Sequence, residues 1–462
     1  MFLIGMQWTF HCFLVQIDSV GVFVWALAPF CFGVFLLFVS LFPLAKRKSG
    51  WGICGSSLLV WLLFLCFASI DLLISRTVRP CTDVFAAYSH VRTEPLARHR
   101  PNSREKKNWH FRTFLSEQMG FNFCPEQPCL ARVPQGAVLM HVDDLLFCGD
   151  YEYFHGTFLR KCQEKFQVSH SELGDTGTSI SFLKKKVIQL DDGILITPGV
   201  PIEKIVETYE SVLGAVRAQM VPCDSSIQLE DVSQALKPTD ASNYRSIVGM
   251  ALYLGRDRPD AIFAIKEFAG RMSRPTLISL QHLKKLVGYL KHTGNVGVKL
   301  SYPMPGQGKY KTSTEKMWIL ETYSDADWAG NRARRKSTSC GIHYLNGKFL
   351  CGSSRTQKVV SLSSCESELH SMVSAISDAI FVRRCLEFLL ETLVLQVHCT
   401  DGSSSRHLVS RQGCGKIRHL SGKLLWVQGK IHEGEVQICQ IPTILNSGDI
   451  RTKPLARDDS LH

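Results

Sequence analysis

Met317-Trp318-Ile319-Leu320-Glu321-Thr322-Tyr323-Ser324-Asp325 reads as a β-strand that delivers an acid at its end. A basic stretch with Arg332, Arg334, Arg335 and Lys336 follows and reads as a loop. Thr338 to Leu345 and Lys348 to Ser353 then flank Asn346-Gly347, the strongest short hairpin signal. Val359-Val360-Ser361-Leu362 predicts a further strand, and Ser363 with Glu366 makes a capping box that opens a helix. In that helix Leu369, Met372, Val373, Ile376 and Ile380 share one apolar face. Leu393 to Cys399 predicts a strand with Asp401 just beyond it, Glu435 to Ile441 alternates as another, and Asp449 begins a short polar segment. This succession predicts an α/β fold.

Four acids from four separate elements, Asp325, Glu368, Asp401 and Asp449, supply one ligand type. Magnesium prefers oxygen donors and is held by a few carboxylates plus substrate phosphate. Two such ions about 4 Å apart activate a water and stabilise the leaving oxygen of a phosphodiester. Most carboxylates are solvated surface groups, so spacing alone leaves both roles open.

The blocks Tyr323-Ser-Asp-Ala-Asp-Trp-Ala-Gly330, Arg335-Lys-Ser-Thr-Ser339, Leu362-Ser-Ser-Cys-Glu-Ser-Glu-Leu369 and Asp449-Ile-Arg-Thr-Lys-Pro-Leu455 resemble the ribonuclease H domain of copia-type retrotransposon Pol polyproteins. The resemblance implies a ribonuclease H-like five-stranded mixed sheet with helices over residues 311–462. It also implies that Asp325, Glu368, Asp401 and Asp449 hold two Mg²⁺ ions and hydrolyse the RNA strand of an RNA–DNA hybrid. The late block departs from the family pattern at Gly448 and Arg451, where Ala and Leu are usual. Arg451 either disturbs the packing of its segment or reaches solvent, and solvent is the expectation.

Upstream, Tyr244-Arg245, Val248-Gly249, Arg258-Pro-Asp-Ala-Ile262 and Tyr289-Leu-Lys-His-Thr293 resemble the helical connection of the same polyproteins, assigned to 236–310. Asn108-Trp109, Met119-Gly-Phe121, Pro128-Cys-Leu130 and His141-Val-Asp-Asp-Leu-Leu146 resemble the end of a reverse transcriptase palm. Residues 81–235 are therefore expected to be a partial α+β palm and thumb. Asp143 and Asp144 stand at a strand–turn–strand bend, and Asp83 in Asp83-Val-Phe-Ala-Ala-Tyr88 faintly resembles the earlier-strand acid. His141 stands where the family has Tyr, and fingers sequence before Asp83 is absent. The resemblance therefore implies a truncated, inactive polymerase.

Residues 1–80 differ in kind. Ser19 to Ala45 and Ser49 to Ile70, separated by Lys46-Arg47-Lys48, carry no charge, and at 27 and 22 residues each is long enough to cross a bilayer. They predict an N-terminal hydrophobic helical hairpin with a membrane contact through residues 19–74, and a membrane location if that segment acts so, cytoplasm or nucleus otherwise. The alternative function is a membrane-associated, catalytically silent nucleic-acid binder. Over all 462 residues, 45% hydrophobic and 20% charged exclude a wholly disordered or collagen-like chain. The net charge of +12 suits a polyanionic partner. Seventeen cysteines without a C-x-x-C pair exclude a zinc ribbon and read as mostly buried thiols, and no small-molecule cofactor is expected.

Several side chains keep two readings. Asp327 is an alternative ligand or a loop acid, with the loop acid expected. Trp328 stacks on a sugar or base, or packs behind its strand, with packing expected. Arg332, Arg334, Arg335 and Lys336 contact phosphates or form a solvated loop. Glu366 is explained by the capping box, and His419 and His432 receive no chemistry.

Overall fold

The computed structural model describes residues 12–17, 20–25, 85–92, 110–198, 200–255, 257–294, 296–301, 318–389, 393–400, 421–442 and 445–454. The chain divides into two compact units, Met1–Leu58 and Leu59–His462. In the first, β1 (Cys12–Ile17) pairs antiparallel with β2 (Val20–Trp25), with Ile17 opposite Val20. This corrects the helical expectation at the start of the first apolar run, where Val, Phe and Trp favour an extended backbone as readily as a helix. The rest of the expected membrane hairpin lies outside the described residues. Among the described residues, no helix is long and apolar enough to cross a membrane.

The second unit is a mixed α/β structure with several antiparallel sheets. Its first sheet contains β3 (Phe85–Arg92), β4 (Asn122–Phe123), β5 (Leu130–Val133), β6 (Gly136–His141), β7 (Asp144–Gly149) and β8 (Gln167–Leu173), in the order β4-β5-β6-β7-β3-β8. A helical run over residues 151–165, here α1, starts where the Asp150 carboxylate accepts from Tyr153 N at 2.7 Å. It packs Phe154 and Phe158 against Phe147 of β7, with ring centroids 5.1 and 5.0 Å away.

A second sheet, in the order β12-β11-β10-β9, contains β9 (Ser179–Phe182), β10 (Lys185–Leu190), β11 (Gly193–Thr197) and β12 (Val298–Ser301). Leu190 faces Gly193 across a turn formed by Asp191 and Asp192. The neighbouring turn is built on Leu183 and Lys184, both with positive φ, and neither residue type announces it.

Helix α2 (Val200–Leu213) precedes three helices separated at Pro259 and Pro275: α3 (Pro238–Leu254), α4 (Ile262–Gly270) and α5 (Leu277–His292). Their apolar faces, including Ile247, Val248, Phe268, Leu283 and Leu286, form a core of their own. A buried ion pair between Lys185 of β10 and Asp257 after α3 fastens the second sheet to these helices.

The last sheet has the order β15-β14-β13-β16-β17. β13 (Trp318–Asn331), β14 (Lys336–Leu345) and β15 (Lys348–Thr356) form an antiparallel meander. Asn346 and Gly347 both have positive φ in its second turn. β16 (Leu393–Thr400) and β17 (Gln437–Ile441) join in parallel, with Tyr323 opposite His398 and Thr400 opposite Ile441. Helix α6 (Ser364–Leu389) buries Leu369, Met372, Ile376 and Ile380, and α7 (Ser421–His432) buries Leu424 and Val427 in the same core.

Val359 to Leu362 is not a strand, contrary to expectation. β15 ends at Thr356, and buried Gln357 turns the chain away by donating from its side chain to Ser339 Oγ at 2.9 Å and Ser367 O at 2.8 Å. Val359, Val360 and Leu362 are left exposed. The capping box forms, with Glu366 N donating to Ser363 Oγ and Leu362 N donating to Glu366 Oε2.

Candidate active site

β13 carries Asp325 to a buried position opposite Cys340 of β14. Ser371 Oγ, from α6, donates to the Asp325 carbonyl and so fixes the helix against the strand at this level. Glu368 sits one turn earlier on α6, close enough to Asp325 that the Asp325 charge raises its carboxyl, with the Ala326 N–H near enough to oppose the rise in both. The middle of β13, rather than its end, and the first turns of the helix thus bring the two carboxyls into electrostatic contact.

The third acid arrives from the end of the chain. A 3-10 turn, Asp449–Arg451, is preceded by Asn446, whose Nδ2 donates to Ser324 O at 3.1 Å, and followed by Thr452, whose Oγ1 donates to Asp325 Oδ2 at 2.7 Å. Gly448 fits close against the strand. A Cβ there would lie 3.0 Å from both Asp325 Cβ and Asn446 Oδ1, which gives the departure from Ala a local reason. Lys453 Nζ pairs with Asp449 Oδ1 at 2.6 Å.

The electrostatics report the same convergence. Burial pushes the Glu368 carboxyl up to about 8, and the Asp325 charge adds to it while the Ala326 N–H and Lys453 oppose it. Burial likewise raises Asp325, with Thr452 opposing and Asp449 reinforcing the shift. Lys453 is held above its ordinary value by Asp449, then Asp325 and Asp327, against burial.

Asp401 lies outside the described residues; β16 ends one position before it, at Thr400. The donors on the page are hard oxygens, and carboxyls that raise one another's proton affinity fit a divalent cation in type. Among the described residues, no group of three or more His, Cys, Asp and Glu side chains is arranged to hold a metal. The described part therefore supplies suitable donors but not a complete ligand set.

Of the polymerase acids, Asp143 and Asp144 lie among the described residues. Asp143 lies in the β6–β7 turn, after Val142 with φ +57°, and Asp144 opens β7. Asp143 Oδ1 is buried without a hydrogen-bond partner, while burial lowers His141 against the pull of Asp144. Asp83 lies outside the described residues. Phe85, at the near end of β3, pairs with Gly149, whereas Asp144 pairs with His90. The two ends are five residues apart along the ladder, or about 17 Å at strand rise.

Three expectations need correction. Asp327 is part of β13, not a loop, and accepts from Gln228 Nε2 at 3.1 Å. Trp328 is 46% exposed, because the register shift between Asp327 and Asn331 interrupts the pairing of β13 beside it. Arg451 is buried, not solvated. Its guanidinium lies 5.1 Å from the Phe349 ring centroid and against Gly352, where a side chain would collide with it. Arg451 Nη1 has no hydrogen-bond partner, and burial lowers its proton affinity. Arg332, Arg334 and Arg335 form the exposed loop foreseen, and His432 is exposed at the end of α7. His419 is outside the described residues. Cys124, Cys162, Cys223, Cys340 and Cys385 are buried thiols.

Sequence reasoning passed over Thr452, Lys453 and Asn446 as functional positions. The first two lie inside the terminal block that carries Asp449, and Asn446 precedes it by three residues, so proximity in sequence was the available signal.

No protein-family model matches the chain. It is 28% identical over 325 residues, 69% of its length, to the retrovirus-related Pol polyprotein from transposon RE1 of Arabidopsis thaliana, covering 21% of that protein. It is 21% identical over 370 residues to the Ty1-JR2 Gag-Pol polyprotein of Saccharomyces cerevisiae, covering 75% of this chain and 20% of the other. An uncharacterized mitochondrial protein of Arabidopsis thaliana is 26% identical over 235 residues, 51% of this chain and 89% of that protein. Among solved structures, a foamy viral protease–reverse transcriptase in complex with RNA/DNA hybrid gives a TM-score of 0.47 at 13% identity, over 80% of this chain and 45% of that one. By sequence the chain is a relative of copia-type retrotransposon Pol polyproteins, of which it spans about a fifth.

Proposed function

We propose that residues 311–462 form a ribonuclease H-like domain that hydrolyses the RNA strand of RNA–DNA hybrids, with Asp325, Glu368, Asp401 and Asp449 as the ligands of two Mg²⁺ ions. On this reading residues 236–310 are the helical connection, residues 81–235 a reverse transcriptase palm and thumb remnant without polymerase activity, and residues 1–80 a separate apolar head. The observation that carries the proposal is the meeting of Asp325, Glu368 and Asp449, from a strand, a helix and the terminal segment, in one electrostatically coupled group. The parallel register of β13 and β16, with Tyr323 opposite His398, carries the end of β16 to the level of Asp325 and supports Asp401 as the fourth member.

Bound Mg²⁺ would supply neutralising charge and an activated water for in-line attack on the phosphodiester. The chain's own groups prepare for this. Thr452 fixes one Asp325 oxygen through its hydroxyl. The Ala326 N–H favours the charged form of Glu368. Lys453 offsets part of the acid charge before any cation arrives.

The test is incubation of the full chain with a labelled hybrid and Mg²⁺. Cleavage of the RNA strand that falls to background in Asp325→Asn and in EDTA is expected. Absence of cleavage by the unaltered chain, or cleavage untouched by Asp325→Asn, rejects the enzymatic reading. A second reading, a catalytically silent nucleic-acid binder, is favoured by the Lys453–Asp449 ion pair, which occupies one of the proposed ligands. Salt-sensitive binding of the hybrid without metal-dependent cleavage would select it.

A further inference from the structure

Two segments beside the acid group expose large apolar side chains and cations together. On β13, Trp328 follows Asp325 by three residues and is 46% exposed. Its indole Nε1 donates to Ser361 O at 3.0 Å, which fixes the ring at the surface. Ser361 belongs to the strap between β15 and α6, where Val359, Val360 and Leu362 are 47%, 50% and 77% exposed. Lys336 Nζ donates to Lys358 O at 3.1 Å, tying the basic turn of residues 332–335 to the same strap. No acid occurs between Trp328 and Lys336 or between Gln357 and Leu362, whereas Arg332, Arg334, Arg335, Lys336 and Lys358 all do. Arg355, just before the strap, is already paired with Asp378 at 2.8 Å.

The strap also connects to the acids. Leu362 N donates to Glu366 Oε2 in the cap of α6, two residues before Glu368. The surface therefore borders the candidate site through both elements that carry its buried carboxyls.

We propose that Trp328, the strap 357–363 and the turn 332–335 form a nucleic-acid contact surface that holds a duplex against the acid group. The arginines contact phosphates while the Trp328 ring and the Leu362 side chain pack on the sugar faces of the duplex. Charge and setting select this occupant: a run of cations without ion-pair partners among the described residues suits a polyanion, the apolar groups among them suit the sugar faces beside its phosphates, and the patch borders the acid group proposed to cut a nucleic acid. The inference rests on the proposed function, since it names where that substrate lies.

The experiment measures binding of a fluorescent RNA–DNA hybrid to the full chain in EDTA, so that cleavage does not intervene. Trp328→Ala is expected to weaken binding about 5- to 30-fold, the range of a lost aromatic contact at an interface, and Trp328→Phe to restore most of it. Arg332→Gln/Arg334→Gln/Arg335→Gln is expected to reduce the steepness of the salt dependence by about 2 to 3 in the log–log slope. The triple variant removes only exposed side chains, so it keeps the proposal testable if Trp328→Ala unfolds. Variants that bind the hybrid like the unaltered chain overturn the surface while leaving the function proposal intact. An unaltered chain that does not bind the hybrid overturns the reading beneath it. Binding to anionic phosphatidylserine vesicles that is lost in Trp328→Ala, with hybrid binding unchanged, assigns the patch to lipid and also overturns the proposal.

Discussion

Arg451 is a buried guanidinium in a segment that also carries a candidate metal ligand. Its Nη1 lacks a hydrogen-bond partner, and stacking on Phe349 replaces only part of the lost hydration. Arg451→Leu is therefore expected to stabilise the fold by about 1–3 kcal/mol, read from denaturant unfolding. Gly352→Ala alone should be destabilising, because the new methyl meets the Arg451 guanidinium, and Arg451→Leu should relieve much of that loss. A double-mutant cycle that is additive would show that the two positions do not meet.

Glu368 adds a pH dependence whose sign follows from its shift. Its carboxyl is raised from 4.5 to about 8 by burial and then Asp325, so between these values the folded chain holds a proton that the unfolded chain has released. Metal-free stability is expected to fall as pH rises through that interval, and Glu368→Gln to flatten the profile. A profile equally steep in the variant would locate the effect elsewhere.

Among the elements, the terminal segment 445–454 has a role that its length conceals. It has one short 3-10 turn and no strand of its own, and it is held by side-chain links: Asn446 to Ser324 O, Thr452 to Asp325, and Ser354 Oγ to Arg451 O at 2.8 Å. Thr452→Val removes a buried bond to a carboxylate. It is expected to cost about 1.5–3 kcal/mol and to speed amide exchange selectively in residues 445–454. Unchanged exchange there would mean that the segment is held by other contacts. The strap 357–363 shows the opposite case, since its Val359-Val360 pair has strand propensity but buried Gln357 redirects the backbone into a cap.

Across the larger unit, the Lys185–Asp257 pair joins a β-meander to a helical core, and both side chains are almost fully enclosed. Lys185→Met leaves a buried carboxylate without its ammonium partner and is expected to cost about 3–5 kcal/mol. Combining it with Asp257→Leu should recover most of that loss, as measured by thermal unfolding. A single variant as stable as the parent would argue against a buried pair in solution. The register of the first sheet belongs to the same level. It sets Phe85, the first residue of β3, opposite Gly149, and His90 opposite Asp144 beside the Asp143–Asp144 turn.

Much of the fold was legible because its signals are local. Asn346-Gly347 prescribes a turn, Pro259 and Pro275 divide helices, and a period of 3.6 marks the apolar face of α6. The chemical character of the site was legible too, since the acids and the terminal block are residue types in order. The environment of each side chain depends instead on contacts between distant segments. Thr452 meets Asp325 across 127 positions, and the end of the chain buries Arg451 against β15. A pairing irregularity turns Trp328 to the surface. Element type follows from neighbours in sequence, whereas burial, proton affinity and the grouping of acids follow from which faces pack together, and no local pattern encodes that.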